Sequence, residues 1–160
     1  MDSRGVSPMI ATIVLIAIVF AVAAILALSL ASAPQPSVIF GGQLSLENVE
    51  NGRDVIVIKH TYGDRANDAV VGTADNRLKW KNLELRVNGV IQDNIIYMIS
   101  EGRKIENIGG SNGPTLGATY AMVVGDLIKV QLSKPLTIGD KVSLKWVPKN
   151  QTLIEKEVTY

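Results

Sequence analysis

Residues 9–33 read MIATIVLIAIVFAVAAILALSLASA, and their only polar members are Thr12, Ser29 and Ser32. Fourteen of these 25 residues are large and apolar, and they recur at every helical angle, so no polar face is left. As a helix the segment would be about 37 Å long at ~1.5 Å per residue. A bilayer core of about 30 Å needs about 20 such residues, so the sequence predicts a membrane-spanning helix. A helix that is apolar all round must be surrounded by lipid or by protein. Ser7 reads as its N-cap and Pro8 as its first helical residue. Pro34-Gln35-Pro36 cannot continue a helix and marks its end. Ala23, Ala27 and Ala31 form a small-xxx-small row along which a second helix could approach closely.

Outside this stretch the chain is ordinary. No charged residue occurs from Gly5 to Gln43, the next charge is Glu47, and all but two of the 31 charges lie in residues 47–160. Sixteen basic and fifteen acidic residues leave a net charge of +1 in 160 residues, so no basic field points to nucleic acid. The chain has no Cys, which excludes a disulfide framework, a zinc-thiolate site and a thiol nucleophile. A single His cannot build a multi-histidine metal site.

Three fates are open to the apolar segment. It could be a secretory signal cleaved after Ala31-Ser32-Ala33, which matches A-x-A. Against this, the apolar run is longer than the usual 7–15 residues, and cleavage would leave Pro34 first. It could be a permanent anchor for an outer domain. It could also wait in the membrane and later pack into the core of a polymer.

Residues 4–24, RGVSPMIATIVLIAIVFAVAA, closely resemble the N-terminus of archaeal type IV pilins. In that family a short basic leader ends in Arg-Gly or Arg-Ala, and a Val-Ser-Pro-like start and an Ile/Val/Ala helix follow. The resemblance implies that a membrane prepilin peptidase cuts between Gly5 and Val6, with Arg4 as the basic leader residue. It also implies that the helix stays with the mature chain. Bacterial type IV pilins carry a Glu five residues after the cut, where this chain has Ile10, which favours the archaeal branch. Archaellins, the related motility-filament subunits, usually begin with a Thr-Gly or Gly-Ile pattern instead.

Residues 38–160 read as short strands. Residues 54–61 (DVIVIKHT) are apolar on both faces at Val55–Ile58, as in a central strand. Leu83, Leu85 and Val87 alternate with Glu84 and Arg86, and Asn88-Gly89 then forms a two-residue hairpin turn to Val90-Ile91. Ile128, Val130 and Leu132 alternate with polar residues, as do Val142, Leu144 and Trp146. Further strands are expected at residues 38–40, 43–47, 95–99, 120–124 and 153–158. Residues 62–79 and 108–117 read as long loops. The expected fold class is α+β, one long N-terminal hydrophobic helix followed by an all-β two-sheet sandwich. Residues 58–64, 80–89 and 125–130 resemble the immunoglobulin-like outer domain of archaeal pilins and archaellins. The expected organisation is a leader at 1–5, the helix at 6–33, a linker at 34–37 and the sandwich at 38–160.

Chemistry is sparse. His60 ends an apolar strand and reads as a packed or hydrogen-bonded residue. Asp64, Asp68 and Asp75 fit no EF-hand spacing and are diluted by Arg65 and Arg77, so they read as solvated carboxylates. Glu155 and Glu157 share a strand face with no sign of a cleft around them. No phosphate loop, GxSxG elbow or HExxH occurs. Asn150-Gln151-Thr152 is the only N-x-[ST] sequon and makes Asn150 a candidate glycosylation site in an exported domain.

These readings lead to a structural, non-enzymatic protein without cofactor or metal. It would be a subunit of an archaeal pilus for surface adhesion, with Arg4 on the cytoplasmic side. The expected partners are further copies of itself, the membrane before assembly, the peptidase and an ATP-driven assembly machine, but no nucleic acid. The rival is a single-span, membrane-anchored extracellular binding protein that never polymerises. An archaellum subunit is the nearer variant.

Overall fold

The computed structural model describes residues 6–31, 40–107 and 111–159, and within the helix it describes the side chains of residues 10–25. The leader residues Arg4 and Gly5, the 34–37 linker, residues 38 and 39 of the strand expected at 38–40, and residues 108–110 of the second expected loop lie outside that set, and Phe40 belongs to no strand. The chain divides into two units, Met1–Ser37 and Val38–Tyr160.

The first unit holds helix α1, Val6–Ala31. It begins one residue before Ser7, so Ser7 and Pro8 both fall in its first turn. Proline is tolerated there because the first N–H groups have no intrahelical partner. Among the described residues no helix is long and apolar enough to cross a membrane. The expected membrane-spanning helix is corrected accordingly.

The described residues of the second unit form twelve strands and one 3₁₀ turn. Its strands are β1 Gln43–Glu47, β2 Val55–Tyr62, β3 Ala66–Gly72, β4 Leu78–Trp80, β5 Leu83–Val87 and β6 Val90–Ile91. They continue with β7 Ile95–Ser100, β8 Arg103–Glu106, β9 Thr119–Met122, β10 Leu127–Gln131, β11 Lys141–Trp146 and β12 Gln151–Glu157. A single 3₁₀ turn, Val147–Lys149, links the last two.

These strands form three antiparallel sheets, with orders β1-β2-β10-β7-β8, β12-β11-β5-β6 and β4-β3-β9. The expected α+β class, a long hydrophobic helix before a two-sheet immunoglobulin-like sandwich, is therefore not the observed fold. The chain is mostly β, and the third sheet arises from a stretch that reads as a loop. β3 and the first two residues of β4 lie inside residues 62–79. The register of β3 on β9 shifts between Ala66 and Val70, and Asp68 there takes φ 53°. Such a bulge interrupts the period-2 pattern on which strand recognition rests. β8 is hidden differently, because three of its four residues are charged and only Ile105 is buried.

The core lies between the inward faces of the strands. β2 buries Ile56, Ile58 and His60 while Val55, Val57 and Lys59 remain half-exposed. Leu85, Met98, Met122, Ile128, Leu144 and Trp146 are buried with them. Phe40 stacks on Trp146 at 5.2 Å and meets His60 edge-on at 5.9 Å. Asn88-Gly89 joins β5 to β6 with φ of 49° and 82°, the all-positive pair that a type I′ hairpin needs. Glu101-Gly102 makes the equivalent turn between β7 and β8 with φ of 51° and 76°.

Candidate functional site

Two surfaces and one turn carry the features that could serve a function. The first surface is α1. Ile13, Val14, Leu15 and Ile16 are all exposed, and successive helical residues point about 100° apart, so these four alone cover the circumference. Val19, Phe20, Val22 and Ile25 continue the pattern, with Phe20 73% exposed. Singly exposed apolar residues are ordinary, but an exposed run of this length marks a contact surface. Ala23 is exposed among them; the side chains of Ala27 and Ala31 lie outside the described set, as do those of Val6, Ser7 and Pro8.

The sequon sits at the β11–β12 turn. Asn150 closes the 3₁₀ turn in the left-handed conformation, and its N–H donates to the Val147 carbonyl at 3.0 Å. Asn tolerates that conformation better than most residues. Asn150 and Thr152 are both exposed, and β12 is an edge strand.

The second surface is the outer face of the five-stranded sheet. Lys129 pairs in register with Tyr97 and Val57, and Lys104 lies across from Ile99. The Lys104 ammonium stands 4.8 Å and that of Lys129 6.0 Å from the Tyr97 ring centre, within cation–π range. Glu106 sits 2.6 Å from Lys104 and holds that ammonium above its ordinary range, first by hydrogen bonding and then by charge.

The titratable residues read from the sequence are dispersed. His60 is buried, and its Nε2 lies 2.7 Å from the Asp64 carbonyl. A carbonyl only accepts, so Nε2 donates here, and Nδ1 has no hydrogen-bond partner among the described residues. The ring thus ties β2 to the loop that follows it. Asp68 pairs with Lys81 at 3.0 Å and is held below the usual carboxylate range, chiefly by the Thr119 hydroxyl and then by Lys81. Asp75 accepts a short bond from the Thr73 hydroxyl, which lowers it too. Glu155 and Glu157 are exposed on β12. Among the described residues no group of three or more His, Asp or Glu side chains is placed to hold a metal ion.

Sequence reasoning missed the organising role of Asp126. This carboxylate is buried and accepts from Glu101 and Val123 N–H at 2.8 Å and from Gly102 N–H at 3.3 Å. It therefore fixes the β7–β8 turn against the β9–β10 turn. The only sequence signal was the Gly125-Asp126 pair before an alternating strand. An open groove of about 790 Å³ is lined by Asp75, Arg77, Lys79, Asp93, Asn94 and Gln131. Its lining has no histidine and no aromatic residue, and its two acidic and two basic side chains balance in charge.

No protein-family model and no curated protein matches this chain.

Proposed function

We propose that this protein is a structural subunit of an archaeal surface filament of the type IV pilus class. Copies would associate through α1, with the β unit facing outward for adhesion. The observation that carries the reading is the uncovered apolar surface of α1 between Ile10 and Ile25. Large apolar side chains each cost about 1.5–3 kcal/mol when left in water, so the ten exposed ones in α1 require a partner. A second α1 offers matching chemistry, and the absence of charge from Gly5 to Gln43 lets such helices bundle without burying an unpaired ion.

The Arg4-Gly5-Val6 and Ser7-Pro8 resemblance supplies the processing step. A leader of residues 1–5 would be removed by a prepilin peptidase before an ATP-driven machine adds the subunit. Asn150 would carry a glycan on the outward unit. No cofactor enters this function, and no residue acts as a catalyst.

The test is to shear filaments from the surface of cells that express the chain, then to sequence the N-terminus of the recovered subunit. Filaments built of this chain and starting at Val6 are expected. A mature chain that starts at Pro34 and is never found in filaments would overturn the proposal.

A further inference from the structure

The chain contains three Asn-Gly pairs, Asn51-Gly52, Asn88-Gly89 and Asn112-Gly113. Glycine lacks the side chain that would hinder its own nitrogen from attacking the preceding asparagine amide. All three are therefore equal candidates for deamidation by sequence, and the fold separates them.

Asn88 is held at both ends of its amide. Nδ2 donates to Asp140 Oδ1 at 2.8 Å, and Oδ1 accepts from the Lys141 N–H at 2.9 Å. The amide carbon cannot turn toward Gly89 without breaking both. At the second pair the attacking nitrogen is engaged, because Gly52 N–H donates to the Leu136 carbonyl at 2.8 Å. At the third pair neither restraint is present among the described residues. Asn112 is exposed, its amide makes no hydrogen bond, and the Gly113 N–H has no acceptor among the described residues. Among the described residues only the Asn112 carbonyl is used, accepting from Glu106 N–H at 3.1 Å.

We propose that Asn112-Gly113 is a spontaneous modification site, converting to aspartyl and isoaspartyl forms in the folded protein while Asn51 and Asn88 are protected. The Gly113 nitrogen, having lost its proton to solvent base, bonds to Asn112 Cγ. The Cγ–Nδ2 bond breaks, and the nitrogen leaves as ammonia, closing a five-membered succinimide. Water then opens the ring at either carbonyl. Both products carry one new carboxylate. In the isoaspartyl product the main chain runs through Cγ, and the former Asn112 carbonyl oxygen belongs to a free carboxylate. The bond that closes the end of β8 onto this loop is thereby changed, and the net charge of +1 falls to zero.

The experiment incubates the purified full chain in detergent at mildly alkaline pH and 37 °C, with samples digested and read by mass spectrometry. A parallel incubation in concentrated denaturant gives the rates without the fold. A gain of about 1 Da, with isoaspartyl product, is expected at the Asn112 peptide at least ten times faster than at the Asn51 and Asn88 peptides. In denaturant the three should converge. Asn112→Gln should abolish the fast phase, and Gly113→Ala should slow it several-fold. Conversion of Asn51 or Asn88 as fast as Asn112 in the folded chain would overturn the proposal. So would an Asn112 that stays intact while the denatured chain converts.

Discussion

Asn88 and Asp140, 52 residues apart, are joined by a 2.8 Å hydrogen bond from the asparagine amide to the carboxylate. The same asparagine returns its Oδ1 to the Lys141 N–H, and its own N–H donates to the Lys141 carbonyl at 2.8 Å. Asp140 in turn accepts from the Thr137 N–H at 2.7 Å. A hairpin turn that sequence can recognise is thus also a clamp on the start of β11. Asn88→Ala should destabilise the protein by about 1–2 kcal/mol from left-handed strain alone, with the lost clamp adding to it. Asn88→Gly keeps the φ of 49° without strain and should cost less. Urea unfolding of both variants measures the difference.

Stability should fall on acidification. Asp140 is held below the usual carboxylate range chiefly by the Thr137 N–H, Asp75 by the Thr73 hydroxyl, and Asp68 by the Thr119 hydroxyl. A depressed carboxylate binds its proton more weakly in the folded chain than in the unfolded one. Its contribution is complete above the ordinary Asp value of about 4 and is lost as pH drops through the folded value. Denaturant midpoints should be flat from neutral pH to about 5 and decline below 4. Asp140→Asn should lower the neutral midpoint and shallow that decline.

Burial, and not residue type, should decide the cost of truncating leucine. Leu85 is completely buried and Leu116 is 69% exposed. Leu85→Ala is expected to cost about 2–5 kcal/mol and Leu116→Ala less than about 0.5 kcal/mol. Equal costs in equilibrium unfolding would show that the core is not where β5 places it.

Close backbone approach makes one glycine far less replaceable than another. A Cβ on Gly72 would stand 2.2 Å from the Thr115 carbonyl oxygen, whereas one on Gly52 would meet nothing within 4 Å. Gly72→Ala should force β3 away from the 115–118 turn and cost about 1–3 kcal/mol or more. Gly52→Ala carries only the penalty of its φ of 80°, about 1 kcal/mol. Thermal melts of the two variants should differ by several degrees.

Assembly should depend on α1 and not on the ion pairs of the β unit. Ala23→Asp would place a carboxylate on an apolar surface, where it has no partner and a dry interface would exclude it. The variant should be absent from sheared filaments, although its β unit, Val38–Tyr160, should fold alone as a monomer with a β-type circular dichroism spectrum. Wild-type filaments should sediment unchanged in molar salt and in excess thiol, since exposed ion pairs contribute little and the chain has no Cys. Dissolution by salt alone would place the assembly contacts on the charged unit.

Local chemistry was enough to read much of this protein. The apolar run was legible as a helix because composition alone sets it apart, but the membrane-spanning length expected of it is not found among the described residues. The strands at 43–47, 83–87, 127–131 and 141–146 were legible within a residue, because one buried face imposes strict alternation. The Asn88-Gly89 turn was legible because few dipeptides accept two positive φ values. Tertiary structure alone decided the rest. The third sheet was unreadable because the bulge at Asp68 breaks the alternation of β3, and Asp68 is held there by Thr119, Lys81 and the Asn82 N–H, all from later in the chain. The role of Asp126 was equally hidden, since its three amide partners come from two turns about 20 residues apart. The fate of the three Asn-Gly pairs was hidden for the same physical reason. A dipeptide carries its intrinsic reactivity in sequence, but the hydrogen bonds that restrain it come from residues brought near only by folding.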